Sequence, residues 1–260
     1  MNTSIIVTGV NGRMGGTIAR LVQEDPALEL AGVVEKSDRI QGLSRFDCPS
    51  GSDLSDIISM AGKAVVIDFT TPAASLNAAE TCAKTNTAAV IGTTGFSQNQ
   101  IQQLEVIAKE TSLFWAPNMS VGVNVLRRIL PELINMLGDR YDIELMEIHH
   151  RFKKDAPSGT ALMLARVLAE SRGMSLEEHG TFARHGITGE RNDMEIGVQT
   201  LRGGDVVGDH TVYLLGPGER IEVTHRAHSR ETFAQGAIRA ARWMSEQKPG
   251  RLYNMEDLLS

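Results

Sequence analysis

Short apolar runs alternate with helix-like segments through the first half of the chain. Apolar residues recur at helical spacing between the runs, as at Met14, Ile18 and Val22, and Thr71-Pro72 predicts a helix start because proline suits a first turn. Alternation of this kind predicts a parallel sheet covered on both faces by helices. The runs that fit buried strands are Ser4 to Val10, Leu28 to Val34, Ala64 to Phe69, Ala88 to Ile91 and Leu113 to Ala116.

The second half has a different pattern and predicts a separate α+β domain. From Asp193 onward, glycine-rich turns separate strand-like runs, and Ser229 then precedes a last helix with an apolar stripe. We place the domain boundary between Asn118 and Val123. The elements that open this half are a helix near Val121 to Leu137, a strand from Asp142 to His149 and a helix from about Ser158 to Ser171.

Composition sets limits on the class of protein. The 260 residues are 42% hydrophobic and 22% charged, which is typical of a globular chain with a sizeable core. Acidic residues exceed basic ones by 32 to 26, so we expect no general attraction to nucleic acid or an anionic membrane. Cys48 and Cys82 form no short-spaced pair, and neither a secretory signal nor an apolar run of about 18 residues is found. We therefore expect a reduced, cytoplasmic protein.

A glycine-rich turn joins the first predicted strand to the first helix. Gly9, Gly12 and Gly15 have the spacing G-x-x-G-x-x-G, and such glycines let backbone amides approach a pyrophosphate at a helix N-terminus. The turn alone also fits a tight strand-to-helix connection. Glu35 follows the second strand about 20 positions later, where a carboxylate can accept the hydroxyls of an adenosine ribose. Together these features predict a dinucleotide site.

Lys36 leaves the choice of cofactor open. A carboxylate at position 35 repels the 2′-phosphate of NADP, whereas an adjacent cation attracts it. Lys36 also fits an ordinary surface lysine. We therefore predict NADH, NADPH or both as cofactors.

Two further loops follow predicted strands at the same end of the sheet. The loops at the carboxyl ends of parallel strands form the crevice where ligands bind. Either loop alone fits a simple turn, whereas both together favour contact with the nicotinamide half of a cofactor. Their residues are Gly92, Thr93 and Thr94 after the fourth strand, and Ala116, Pro117, Asn118 and Met119 after the fifth.

A basic segment from His149 to Thr160 interrupts this acidic chain. Two histidines and three Lys or Arg residues fall within six positions, which predicts an anionic ligand, and the helix beginning at Ser158 adds free amides and a positive dipole end. A small dicarboxylate fits both features. A solvated charged loop, or less well a nucleic-acid contact, would account for the basic cluster but not for its place beside a helix start. Histidine also titrates near neutral pH, as proton transfer requires. The histidine and cysteine spacings match no metal site, so we predict none.

These motifs together resemble the 4-hydroxy-tetrahydrodipicolinate reductase family, also named dihydrodipicolinate reductase. The most specific of them runs from Glu147 to Ala161, and Met119 stands where some members of the family have phenylalanine. The resemblance spans the whole chain and includes VTGVNGRMG, DFTTP, IGTTGF, NMSVGVN, EIHHRFKKDAPSGTA and RGGDVVGDH in the order of that family.

The resemblance implies an NAD(P)H-dependent reduction of 4-hydroxy-tetrahydrodipicolinate to tetrahydrodipicolinate in lysine and diaminopimelate biosynthesis. It implies that His149 gives or takes a proton, that Lys153 is a second donor, and that His150, Gly159 and Thr160 bind substrate carboxylates. The implied cofactor contacts are Gly9, Val10, Asn11, Gly12, Arg13, Met14, Glu35, Lys36, Gly92, Thr93, Thr94, Ala116, Pro117, Asn118 and Met119.

The resemblance also implies an α/β fold with two domains. Residues 1–120 and 230–260 would form a discontinuous, Rossmann-like nucleotide domain, and residues 121–229 a substrate-binding domain that builds a homotetramer. Two other functions remain open at this point. One is another amino-acid dehydrogenase on the same kind of sheet, and the other is a non-catalytic protein that senses NAD(P).

Overall fold

A computed structural model describes residues 2–260, which form two compact units. The first unit contains the chain up to Val121 and again from Glu231 to Ser260, and the second is Gly122–Arg230. None of the helices formed by the described residues is long and apolar enough to cross a membrane.

The first unit contains a seven-stranded sheet in the order β12-β6-β5-β4-β1-β2-β3. Every pair of neighbouring strands is parallel, which confirms the predicted parallel sheet. Its strands are β1 (Thr3–Thr8), β2 (Leu28–Val34), β3 (Ser50–Gly51), β4 (Val65–Asp68), β5 (Ala88–Ile91), β6 (Leu113–Trp115) and β12 (Leu252–Tyr253). Its helices are α1 (Arg13–Glu24), α2 (Leu54–Ala61), α3 (Pro72–Lys84), α4 (Gln98–Ile107), α8 (Glu231–Met244) and α9 (Met255–Leu259).

Alternate residues of these strands enter two separate hydrophobic cores. Ile5 and Val7 pack with the apolar stripes of α1 and α8, whereas Ile6 packs with α2, α3 and α4. Because neighbouring strand residues point to opposite faces, both faces of the sheet are covered, as predicted. Helix α8 follows the second unit in sequence and still contributes to the core of the first, so the first unit is discontinuous.

The strands of this sheet end in register, which brings their loops together. Thr8 lies beside Val34 on one side and Asp68 on the other, and Asp68 lies beside Ile91. The loops after β1, β2, β4 and β5 therefore begin at the same edge of the sheet. This edge carries the glycine turn and the predicted cofactor loops.

The second unit has a five-stranded mixed sheet in the order β11-β10-β7-β9-β8. Ile143 and Leu145 on the central strand pack with the helices of this unit, and Glu147 and His149 continue the same buried face. Its strands are β7 (Asp142–His149), β8 (Gly180–Thr181), β9 (Ile196–Arg202), β10 (Gly208–Gly216) and β11 (Glu219–Ala227). The helices are α5 (Val121–Leu137), which begins at the last residue of the first unit, α6 (Gly159–Glu170) and α7 (Leu176–His179).

The strand and helices predicted to open this half are confirmed, while several short elements were not predicted. The helix after Ser229 is not the last one, because β12 and α9 follow it. Helix α2 was also missed, although Asp53 caps its first turn by accepting a hydrogen bond from Ser55 N at 2.8 Å. These elements are too short to establish a hydrophobic period, and packing against the sheet stabilises them instead.

Candidate active site

The glycine turn needs its glycines for steric reasons. Gly9 adopts a positive φ of 62°, and a Cβ atom on Gly15 would lie 2.2 Å from the carbonyl oxygen of Gly9. Gly12 caps helix α1 without a side-chain hydrogen bond, and the first turn of α1 carries no acidic residue. The turn therefore presents a helix N-terminus with little side-chain obstruction, which fits a pyrophosphate.

Glu35 lies directly against this turn. Its Oε2 atom accepts a hydrogen bond from Asn11 N at 2.9 Å, and its Oε1 atom accepts one from Lys36 N, also at 2.9 Å. The side chain of Asn11 in turn accepts a hydrogen bond from Arg45 Nη2 at 2.8 Å. The predicted acidic residue and glycine turn thus meet, and Lys36 is exposed beside them.

Asp68 at the end of β4 ties several of these loops together. It is 2% exposed, and its carboxylate accepts hydrogen bonds from the hydroxyls of Thr8 and Ser75, both at 2.5 Å, and of Thr93 at 3.1 Å. It also accepts one from Thr70 N at 3.1 Å. In the sequence, DFTTP predicted a helix start at Thr71-Pro72 and formed part of the family pattern, but Asp68 itself was not predicted as a site residue. The aspartate that directly follows a buried strand was a signal that could have identified this residue.

The remaining predicted cofactor residues are placed in different ways. The side chains of Val10, Ala116 and Met119 belong to the hydrophobic core, so these residues can offer a cofactor mainly their backbone. Thr93 is buried and hydrogen-bonded to Asp68 and Ser75. Those at the surface or partly exposed are Arg13, Met14, Thr94, Pro117 and Asn118. Contact of any of these residues with a cofactor stays a prediction.

A crevice of about 470 Å³ opens at this edge of the sheet. Gly9, Glu35, Lys36 and Asp68 are among its lining residues. A larger cavity of about 1070 Å³ lies at the opposite, amino-terminal ends of the strands, and most of the hydroxyl groups around it are already hydrogen-bonded to backbone carbonyls. The smaller crevice is therefore the better candidate for the nucleotide.

In the second unit, Glu147 joins the predicted catalytic histidine to the start of α6. Its fully buried carboxylate makes a hydrogen bond of 2.5 Å with His149 Nδ1 and accepts one from Ser158 N at 2.9 Å. Arg202 donates to both carboxylate oxygens, at 2.8 and 2.9 Å. Neither Glu147 nor Arg202 was predicted as a site residue, because the strand pattern alone does not show which polar residue is turned inward.

These contacts set the ionisation of the pair. Burial alone would raise the pKa of Glu147, but hydrogen bonds from Arg202, His149 and the Ser158 amide outweigh burial and bring that pKa below its usual value. Burial lowers the pKa of His149, and the hydrogen bond to Glu147 opposes this effect. Glu147 is therefore ionised at neutral pH, beside a histidine that titrates below its ordinary range.

The predicted substrate residues surround the same point. Lys153 Nζ lies 2.9 Å from Asp155 Oδ2, and the backbone oxygen of Asp155 accepts a hydrogen bond from Arg202 Nη2 at 2.6 Å. Ser158 caps α6 by accepting a hydrogen bond from Ala161 N at 3.1 Å. Apart from its two chain neighbours and the backbone of its own helix, no described atom lies within 4 Å of a Cβ built on Gly159. The helix start is therefore open to a ligand.

Two more histidines complete the surroundings of His149. His150 is half-buried, and its Nδ1 atom has no hydrogen-bond partner among the described residues. The Nε2 atom of His210 lies 3.2 Å from Ser158 Oγ, and its ring packs edge-on to that of His149. Burial, followed by the charge of His149, lowers the pKa of His210 to about 4, so this ring is neutral at pH 7. His210 was missed as a site residue.

The structure thus assembles each predicted group within its own unit. One unit brings the glycine turn, Glu35 and Lys36 together, and the other brings His149, Lys153 and Gly159 together. Among residues 2–260, no group of three or more His, Cys, Asp or Glu side chains is arranged to hold a metal ion.

Comparison with known proteins agrees with this arrangement. A family model described as the N-terminus of dihydrodipicolinate reductase matches residues 3–119, and the model of the C-terminus matches residues 122–259. The 4-hydroxy-tetrahydrodipicolinate reductase of Nitratidesulfovibrio vulgaris (strain DP4) is 59% identical over 258 residues, covering 99% of this chain and 100% of that protein. That of Oleidesulfovibrio alaskensis is 56% identical over 259 residues, covering 100% of both chains.

Solved structures show the same similarity. A dipicolinate-bound dihydrodipicolinate reductase from Paenisporosarcina sp. TG-14 matches with a TM-score of 0.78 and 26% identity, covering 98% of both chains. A DAP dehydrogenase from C. glutamicum matches with a TM-score of 0.54 and 14% identity, covering 100% of this chain and 96% of the other, which shows a shared fold alone. The resemblance noted in the sequence and the predicted Rossmann-like α/β fold are both confirmed. The chain belongs to the dihydrodipicolinate reductase family.

Proposed function

We propose that this chain catalyses the NAD(P)H-dependent reduction of 4-hydroxy-tetrahydrodipicolinate to tetrahydrodipicolinate, a step of lysine and diaminopimelate biosynthesis. One observation of the structure carries the proposal. The buried carboxylate of Glu147 contacts both His149 and Ser158 N, so a proton-exchanging ring and a helix N-terminus lie together. A cyclic imine with two carboxylates needs both an anion site and a proton donor.

The first unit is the proposed nucleotide-binding domain. The steric need for glycine at positions 9 and 15 fits a backbone cradle for the pyrophosphate, and Glu35 has lone pairs left for ribose hydroxyls after its two backbone hydrogen bonds. Lys36 would contact a 2′-phosphate if NADPH is used. When bound, the reduced nicotinamide supplies the hydride.

The second unit is the proposed substrate-binding domain. The amides at Gly159 and Thr160 would hold one carboxylate of the substrate, and His150 the other. Lys153 would stabilise the negative charge that develops during reduction, and His149 would give a proton to the electron-rich ring that results. The positive charges of this segment thus favour the transition state over the substrate.

The test is consumption of NADH or NADPH in the presence and absence of the cyclic substrate, with the product identified by mass spectrometry. Substrate-dependent oxidation is expected with the intact protein. An amino-acid dehydrogenase would instead reduce NAD(P)⁺ with aspartate or diaminopimelate, and a sensor would bind the cofactor without turnover. Either of these results would replace the proposal.

A homotetramer is the proposed assembly, built through the β-rich part of the second unit. Met146 and Ile148 alternate with the buried residues of β7, and Tyr213 and Leu215 lie beside that strand on β10; none of the four belongs to the hydrophobic cores. A second copy of the chain would cover these four side chains. Light scattering should give four times the chain mass of 28.3 kDa. Met146→Glu should lower this mass, and a monomeric wild-type protein would contradict the proposal.

A cytoplasmic location belongs to the same proposal and rests on the family resemblance. Both Cys48 and Cys82 are free thiols, which is compatible with a reducing compartment.

A further inference from the structure

The two ring nitrogens of His149 have different surroundings. Nδ1 is hydrogen-bonded to Glu147 Oε2, whereas Nε2 has no hydrogen-bond partner among residues 2–260. Gly208 lies next to Nε2, since a Cβ atom built on that glycine would be 3.0 Å from it. One nitrogen is thus occupied by the protein, and the space beside the other is kept clear by a residue without a side chain.

The partner of Nδ1 can only accept a hydrogen bond. An ionised carboxylate has no proton to donate, and Arg202 holds Glu147 ionised through two hydrogen bonds to its oxygens. Ser158 N and the Thr200 hydroxyl, at 2.9 and 3.3 Å, also donate to this carboxylate. With all of these donors pointing at Glu147, the proton of a neutral His149 ring must lie on Nδ1.

We propose that Glu147 is a positioning residue that fixes the tautomer of His149, so that Nε2 is the atom that exchanges a proton with the substrate while Gly208 leaves room beside it. The proposal rests on the proposed function, in which His149 protonates the reduced ring. Glu147 itself touches neither substrate nor cofactor in this scheme. It acts through the orientation of His149 and through the stability of the imidazolium form.

The proton balance of this step is simple. The 4-hydroxyl of the substrate leaves as water, which gives a conjugated imine. Addition of hydride to this imine leaves an electron-rich enamine anion. The imidazolium of His149 gives its Nε2 proton to a ring carbon of that anion, a C–H bond forms from the electron pair of the C=C bond, and the imine bond is restored. The histidine is left neutral with its remaining proton on Nδ1, in the hydrogen bond to Glu147.

Charged and titratable groups face His149 from several elements. Glu147 lies on the same strand, Arg202 on β9, His210 on β10 and Lys153 in the segment after β7. Glu147 is the single anion among these four, so it is the group that opposes the loss of a proton from His149. Replacing it with a neutral residue should shift the titration of His149 to lower pH, because both the hydrogen bond and the charge of Glu147 raise the pKa of this ring.

The first experiment measures the tautomer by ¹⁵N NMR of the histidine side chains in the intact protein, with His149→Gln used to assign the signal. The neutral ring of His149 should carry its proton on Nδ1, and Glu147→Gln should weaken this preference because an amide can donate as well as accept. A neutral ring protonated on Nε2 in the wild-type protein would overturn the inference. This result does not depend on turnover and is therefore distinct from a failure of the proposed function.

The second experiment follows kcat against pH for Glu147→Gln, with Glu144→Gln as the matched control. Glu144 lies on the same strand, faces the opposite side of the sheet and pairs with Arg184 and Arg191. Glu147→Gln should lower kcat roughly a hundredfold and move the loss of activity at high pH to lower pH, with the Kd for NADH unchanged. The control should keep the wild-type pH profile. An unshifted profile for Glu147→Gln would contradict the proposal.

Two further variants distinguish an effect on the orientation of His149 from a general loss of protein stability. Glu147→Asp keeps the charge and should restore part of kcat and the position of the pH profile. Gly208→Ala should lower kcat without moving the ¹⁵N signature of Nδ1, because its methyl group would lie closest to Nε2, at 3.0 Å, and would contact Cδ2 and Cε1 but not Nδ1. If Gly208→Ala turns over like the wild-type protein, Nε2 is not the atom that meets the substrate.

Discussion

Thr8, the last residue of β1, donates a hydrogen bond of 2.5 Å to the carboxylate of Asp68, the last residue of β4. The glycine turn begins at the next residue after Thr8. The same carboxylate accepts a hydrogen bond from Thr93, in the loop after β5. Asp68 thus couples two loops that the family resemblance assigns to the cofactor.

Asp68→Asn should therefore weaken NADH binding several-fold and lower the free energy of unfolding by about 1 to 3 kcal/mol. An amide has one acceptor oxygen in place of two, so at least one of the buried donors loses its partner. NADH affinity by fluorescence titration and unfolding by urea measure the two effects. Asp56→Asn, on the exposed side of α2, is the control and should change neither. A variant that unfolds more easily but binds NADH normally would show that Asp68 does not position the loops.

Substitutions of Glu35 and of Lys36 should affect the affinities for NADH and NADPH differently. Glu35→Gln should weaken NADH about ten- to a hundredfold, the cost of a charge-assisted hydrogen bond, and NADPH less. Lys36→Ala should weaken NADPH and leave NADH nearly unchanged. Binding of 5′-AMP and 2′,5′-ADP to the same variants isolates the ribose end from the rest of the cofactor. Lys63→Ala, an exposed lysine at the other end of the sheet, serves as the control. If both substitutions had equal effects on both nucleotides, Glu35 and Lys36 would not contact the ribose end of the cofactor.

The sequence predicted the parallel sheet and most long helices because their hydrophobic periods are unambiguous. The positions of Glu35 and the glycine turn at one edge of the sheet were also predictable, since each has a fixed place relative to a strand end. Glu147, Asp68 and His210 were not identified as site residues. Each is a polar residue in or at the end of a strand, and only tertiary contacts show that it is buried and hydrogen-bonded. The sequence of β7 gives no sign that Arg202, more than 50 positions away, neutralises Glu147.

His210 should make the protein less stable as the pH falls. Its pKa is about 4 in the folded chain and about 6.5 when unfolded, so between these values the unfolded chain binds more protons. The free energy of unfolding should therefore decrease as the pH falls from 6.5 to 4, with His210 contributing roughly 3 kcal/mol over this window. The lowered pKa of His149 acts in the same direction.

Urea unfolding of the wild-type protein and His210→Gln at several pH values measures this contribution. Any excess in the free energy of unfolding of the wild-type protein over that of His210→Gln should shrink or reverse as the pH falls. The reason is that the variant no longer has a buried ring that must stay neutral. His185→Gln is the control, since that histidine is exposed. If this difference in the free energy of unfolding stays constant from pH 7 to pH 4, the pKa of His210 is not lowered in the folded chain.

Gly159→Val should raise the KM for the cyclic substrate sharply and leave the Kd for NADH unchanged. Gly159 is the first residue of α6, and the space around its missing Cβ is empty, so valine fits without a clash and occupies the place where a carboxylate would reach the helix amides. Gln98→Val is the matched control, because Gln98 is the first residue of α4 and follows a serine cap in the same way. Both variants should have similar melting temperatures. A Gly159→Val protein with normal substrate saturation would show that the substrate carboxylate binds away from the start of α6, and the basic segment would then need another ligand.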